Sequence, residues 1–267
     1  MKRVLTTFLI LCLLAAVVPG AHAVTLQVDG TVLSTNVVLY NGTTYVPLRA
    51  TAQLLSPSAK VTWESGQAVI RSSGLTLTAR PGNLYIDANE RKLFAKDGVR
   101  LVNGTTLIPV RVLAKAMGAS VTWDAYTQKA ILTSGSNTIT SGDSFYNSDS
   151  LYWLSRIINA ESSGEPLLGK IAVGNVILNR VASSDYPNTI QEVVFDDNYG
   201  VQFTPVSNGT IYNTPSEESI LAAKLCLDGA SVVGNSLYFL NPAIATSTWI
   251  TRNCSYVATI GNHQFYA

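Results

Sequence analysis

The strongest constraint on this chain is that it carries one pattern twice. NGTTYVPLRATAQLLSPSAKVTWESGQAVI begins at Asn41, and NGTTLIPVRVLAKAMGASVTWDAYTQKAIL begins at Asn103. The shared frame is NGTT, an apolar residue, Pro, Arg, a helix-like stretch, VTW, an acidic residue and a short apolar strand. A unit this small cannot bury its apolar face alone, so a repeat implies units that cover one another. Asn-Gly between apolar runs favours a tight hairpin, because both positions tolerate positive φ. Pro47 and Pro109 then end a strand and suit the first turn of a helix. Leu48, Ala52 and Leu55 share one helical face, as do Val112, Leu113 and Met117. Val61, Trp63, Val69 and Ile70 read as a returning hairpin, as do Val121, Trp123, Ile131 and Leu132. Each expected unit is hairpin–helix–hairpin, and together they form a domain over residues 24–134.

Composition narrows the function classes. Of the 267 residues, 47% are hydrophobic and 13% charged, which is too apolar for a disordered chain. Eighteen Lys and Arg against 17 Asp and Glu leave +1, so no polybasic nucleic-acid binder is expected. Residues 1–23 hold Lys2 and Arg3, an apolar run from Phe8 to Val18, and the small residues of Ala21-His22-Ala23. That is the three-part plan of a secretory signal peptide, cleaved after Ala23. The run is shorter than the ~20 residues a bilayer span needs, and no later run is long enough. Of the two histidines, cleavage leaves only His263, which argues against a His-rich catalytic zinc site. It leaves Cys226 and Cys254, a bridged pair or two buried thiols. Residues 24–134 carry 11 basic and 6 acidic side chains. That excess could lean on an anionic wall polymer or be an ordinary mixed surface.

Residues 135–150, GSNTITSGDSFYNSDS, have linker composition. Beyond them the repeat does not return. In LYWLSRIINAESSGE, Leu151, Leu154, Ile157 and Ile158 make an apolar helical stripe. Glu161 lies on that stripe, four after Ile157, and Ser162-Ser163-Gly164 reads as the helix stop. Burial and the negative end of the helix dipole both disfavour the charged form. The expectation is a protonated Glu161 near neutral pH, as a general acid requires. The alternative is a paired or solvent-edge glutamate that ends the helix. In the next helix Gly174 is small enough for a close crossing. Farther on, Thr214, Pro215 and Glu217 read as a capped helix start, which makes Glu217 and Glu218 dipole partners rather than catalysts.

Two resemblances bear on these readings. The N-terminal repeat, through its NGTT, Pro-Arg and VTW motifs, resembles the copper amine oxidase N-terminal-like domain, a stalk module of exported proteins. That segment has no His or Cys and a lone Met117, so no copper site and no other cofactor is expected. NAESSGEP, GKIAVGNVILNRV, QFTPV, YFLNP and IGNHQFY, in that order over residues 151–267, resemble the SleB-type cell-wall hydrolase family, which includes spore cortex-lytic enzymes. This resemblance implies a mainly helical, lysozyme-like domain with a small strand region beside its cleft, so the whole chain is expected to be α+β. It implies cleavage of peptidoglycan between N-acetylmuramic acid and N-acetylglucosamine, by a secreted enzyme of the cell wall or spore. It further implies a lytic transglycosylase, in which one carboxyl serves as acid and then base.

Glu161 is the catalytic candidate. Ordinary glycosidases flank the bond with two carboxyls. Glu165, four residues on, lies on the same side as Glu161 if helical, and reads better as a group that fixes the loop. Gln202, Tyr238 and Asn241 are candidates to hydrogen-bond sugar, and Phe203 to stack on it; each could equally be a core or turn residue. His263 completes the substrate-binding candidates, with a structural role near the cleft as its alternative. A wall amidase or peptidase, or a non-catalytic wall-binding protein, is the rival reading.

Overall fold

The computed structural model describes residues 24–33, 36–198, 200 and 202–267. The proposed signal segment lies outside the described residues. The chain is mixed α and β, with strands dominating up to residue 133 and helices after it.

The first half is built from three sheets around one apolar core. Strands Val38–Tyr40 and Thr43–Pro47 form one hairpin, and Arg100–Val102 and Thr105–Pro109 another. Their turns put Asn41 at φ 46° and Gly42 at 75°, Asn103 at 48° and Gly104 at 76°, the left-handed geometry that Asn-Gly accepts. Each hairpin leads through its proline into a short helix, α1 (Leu48–Leu55) or α2 (Val110–Ala116). Strand Thr25–Val28 pairs in parallel with Lys129–Thr133, bringing the two ends of the half together. A five-stranded antiparallel meander, from Lys60–Glu64 to Arg91–Phe94, starts in the first copy and runs on toward the second. The strands over residues 75–94 belong to neither copy of the repeated sequence.

The second half begins with α3 (Gly142–Phe145) and α4 (Ser148–Ser162), whose start Asn147 caps through Ser150 N–H. It continues with α5 (Leu167–Ala182), α6 (Ile190–Val194), α7 (Thr204–Asn208), α8 (Glu217–Leu227) and α9 (Trp249–Asn253). A three-stranded sheet orders Tyr238–Leu240, His263–Tyr266 and Tyr256–Ile260. Leu154, Ile157 and Ile158 of α4 are fully buried against α5 and α8. Gly174 is the point of closest approach: a Cβ there would sit 2.7 Å from Cys226 Sγ and 2.9 Å from Ile158 Cδ1. Cys226 and Cys254 are both free thiols. The cap of α8 is Ser216, which accepts from Ser219 N–H, not Thr214, because the helix starts two residues later than its T-P-x-E spelling suggests.

The segment between the halves is an ordered wedge. Ile139 is buried in the first core. Tyr146 Oη accepts from Lys92 N–H at 2.9 Å, and Gly142 N–H donates to Asn89 O at 2.7 Å. Behind it Arg91 holds Asp228 at the end of α8 in a bidentate pair of 2.9 and 2.7 Å, and Lys115 Nζ adds a third contact at 2.6 Å. The Arg91 guanidinium lies 3.5 Å from the centroid of the Phe145 ring. Two apolar anchors in a polar stretch thus dock the halves on each other.

Candidate active site

The site is built at the C-terminal end of α4. The apolar stripe turns Leu154, Ile157 and Ile158 inward, and helical spacing carries Glu161 to the boundary of the same face. There it lines a cleft of about 840 Å³ with Arg180, Tyr186, Gln202, Tyr238 and Trp249. Burial raises the Glu161 pKa to about 7, and the positive charge of Arg180 opposes that rise. Asp185 and Asp196 line the same cleft. The last turn of α4 adds the unpaired carbonyl end of the helix, which also favours the neutral acid.

Arg180 is the other charged wall. It is buried, and its Nε donates to Leu237 O at 2.8 Å. Its guanidinium sits 5.0, 5.3 and 5.7 Å from the ring centroids of Tyr186, Phe203 and Tyr238. Burial lowers its pKa, and the polar groups around it, Glu161 included, push the other way. An arginine starts so high that it keeps its charge. A cation thus shares the cleft with the acid, and Asp196 acts on it as well as Glu161.

The turn that follows Glu161 is fixed twice. Lys170 is almost wholly buried; its Nζ donates to Ser163 O at 3.1 Å and to Glu165 O, and forms an ion pair with Glu218 Oε2 at 2.8 Å. Glu165 accepts from Asn262 backbone N–H and from Asn262 Nδ2, both at 2.9 Å. Burial by itself would raise the Glu165 carboxyl, but the two Asn262 hydrogen bonds, His263 and Lys170 outweigh it and hold the group below its ordinary value.

The sequence candidates separate accordingly. Glu161, Gln202 and Tyr238 meet in the cleft. Phe203 borders it but is 3% exposed and belongs to the second core, so its face is not free to stack on a sugar. Asn241 is outside the cleft lining; its Oδ1 accepts from Ala243 N–H, which makes it a turn residue. Neither Glu165 nor His263 lines the cleft. His263 is buried, with its ring edge-on to Phe239 at 5.3 Å, and burial lowers its pKa. Short polar motifs look alike whether they bind a ligand or close a turn, so spacing alone did not separate the residues of the cleft from those beside it. Arg180, Tyr186 and Trp249 were missed. Arg180 stood in a quoted motif, GKIAVGNVILNRV, but nothing in its local spacing marks it as facing a cleft.

Comparison with known proteins finds two family matches along the chain. Residues 164–266 match the Cell Wall Hydrolase family, and residues 27–140 match the copper amine oxidase N-terminal domain. A spore cortex-lytic enzyme of Bacillus cereus is 40% identical over 120 residues, 45% of this chain and 45% of that protein. The cell wall hydrolase CwlJ of Oceanobacillus iheyensis is 32% identical over 103 residues, 36% of this chain and 72% of that protein. The solved catalytic domain of the germination-specific lytic transglycosylase SleB from Bacillus anthracis is 38% identical, with a TM-score of 0.43, over 48% of this chain and 100% of that one. The chain belongs to the cell wall hydrolase family. It spans less than half the length of the cortex-lytic relative from Bacillus cereus.

Proposed function

We propose that the protein is an exported lytic transglycosylase of the cell wall or spore, cleaving peptidoglycan between N-acetylmuramic acid and N-acetylglucosamine. The observation that carries this reading is a carboxylic acid poised near pKa 7 in a cleft walled by Tyr186, Tyr238 and Trp249. Aromatic walls suit the apolar faces of sugar rings, and a pKa near the working pH suits a general acid. The names of the relatives, spore cortex-lytic enzyme and cell wall hydrolase, support the polymer.

In this mechanism Glu161 gives its proton to the bridging oxygen as the bond to muramic C1 breaks. The resulting carboxylate is stabilised by Arg180. The muramic 6-hydroxyl attacks C1 and closes a 1,6-anhydro ring, and Glu161 takes that hydroxyl proton back. One carboxyl is enough for this chemistry. Asp185 and Asp196 in the same cleft support a second reading, hydrolysis by a water that one of them activates.

Digestion of purified peptidoglycan followed by mass spectrometry tests the proposal. Anhydro-muramic ends support it. Reducing muramic ends select the hydrolytic reading. Freed stem peptides would place the enzyme among amidases or peptidases, and no release at all would leave a wall-binding protein.

A further inference from the structure

The repeat in the first half is related to itself by a twofold rotation. Val46 and Ile108 occupy the same place in their copies, six residues into NGTT-x-x. In the sheet these two residues are paired directly opposite each other, with Tyr45 opposite Pro109 and Leu107 opposite Pro47. Antiparallel pairing of equivalent residues places a local twofold axis through that pair, perpendicular to the sheet.

The axis exchanges two grooves of nearly equal size, about 430 and 420 Å³. The first is lined by Trp63 and Arg49 of one copy and by Thr105 and Thr106, which open the strand after the turn of the other. The second is lined by Trp123 and Arg111, with Thr43 and Thr44 from the matching strand of the opposite copy. The two tryptophans are 51% and 39% exposed. Each faces an alanine across its hairpin, Trp63 opposite Ala68 and Trp123 opposite Ala130, a partner too small to cover an indole. Arg49 is held at its groove wall by a 2.6 Å hydrogen bond from Nη1 to Val61 O. A single exposed Trp needs no explanation, but the same exposed Trp-Arg-Thr-Thr set twice, each assembled from both copies, is a built feature.

We propose that these grooves are two binding sites for peptidoglycan glycan strands, separate from the catalytic cleft. The choice of polymer rests on the proposed function. An open indole stacks on the apolar face of a pyranose. Threonine hydroxyls can serve as donor and acceptor for sugar hydroxyls and acetamides. One guanidinium per groove suits the carboxylates that stem peptides carry. A glycan strand has a direction, and a twofold reverses direction, so the pair of grooves suits two neighbouring strands rather than one.

The test uses full-length protein carrying Glu161→Gln, so that binding is measured without turnover, on insoluble peptidoglycan stripped of covalently attached anionic polymers. Two-point attachment typically strengthens binding by about 10²-fold or more, so Trp63→Ala or Trp123→Ala alone should weaken sedimentation binding by about that factor, and the two together further. The active enzyme carrying both Trp changes should still cleave short soluble glycan fragments at the parent rate. A folded double variant that binds stripped wall as tightly as its parent overturns the proposal. So does binding that vanishes for the parent when the anionic polymers are removed. Should the Trp variants melt early, Arg49→Gln with Arg111→Gln replaces them, and unchanged binding in that pair is equally fatal. Failure of wild-type protein to cleave any fragment would sink the catalytic reading alone, since the binding measurement does not depend on turnover.

Discussion

Glu165 and Asn262 lie 97 residues apart in the chain and are joined by two hydrogen bonds of 2.9 Å, one to the backbone and one to the side chain of the asparagine. The contact ties the turn behind Glu161 to the last hairpin, and so joins the NAESSGE and IGNHQFY segments. Gly261 makes it possible. Its φ is 60°, and a Cβ there would fall 1.8 Å from Glu165 Oε2.

Gly261→Ala should therefore be severe. The substitution puts a side chain at a left-handed position and drives it into a buried carboxylate. A loss of about 3 kcal/mol or more in urea unfolding is expected, with activity falling in parallel. A variant of wild-type stability would show that the last hairpin yields without cost.

Glu165→Gln keeps the shape but removes the charge. The lost charge-assisted bonds should cost roughly 1–3 kcal/mol. Because the folded state holds Glu165 below its ordinary 4.5, its contribution is present above that pH and is lost as pH falls through the lower folded value. The variant should accordingly differ most from wild type at neutral pH. Turnover should fall more than substrate affinity, since Glu165 lies outside the cleft and acts by positioning the turn.

Glu161 has the opposite sign. Its pKa is raised from 4.5 to about 7, so the folded protein loses stability as pH rises between those values and no further above them. Glu161→Gln removes this penalty, worth up to roughly 3 kcal/mol, and should melt higher than wild type at pH 8 but not at pH 4. Activity of the wild type should decline above pH 7 as the acid ionises. A pH profile flat to pH 9 would contradict Glu161 as the acid.

Asp228 should couple the two halves. Its side chain is 1% exposed and held by Arg91 and Lys115. Burial alone would raise its pKa, and the hydrogen bonds from those two cations overcome this and lower it. Arg91→Met leaves a buried carboxylate short of a partner, a loss of roughly 3–5 kcal/mol by the usual cost of breaking a buried pair. Calorimetry should then resolve two transitions, against a single one expected for wild type. A single unshifted transition would mean that the docking of the halves rests on apolar contacts alone.

Much of this molecule was legible locally. The Asn-Gly turns, the proline-led helices and the apolar stripe of α4 follow from backbone preference and from periodicities of 2 and 3.6, which neighbouring residues suffice to express. The placement of Glu161 on that stripe already carried its raised pKa, because burial and helix-end polarity are both local consequences of the pattern. The strands over residues 75–94 went unread although Leu75–Ala79, LTLTA, alternates strictly; what local alternation cannot give is their pairing into one meander.

What only the tertiary structure decided was which polar residues face one another. No spacing rule brings Arg180 opposite Glu161, Asn262 onto Glu165 or Arg91 onto Asp228, since those meetings depend on how separate elements are laid together. The wedge over residues 139–146 is the same lesson in reverse. Its composition was that of a free tether, and two buried side chains, Ile139 and Tyr146, made it part of the fold. Chain-local free energies set the elements, whereas the sign and worth of a charge depend on the distant neighbours that replace its water.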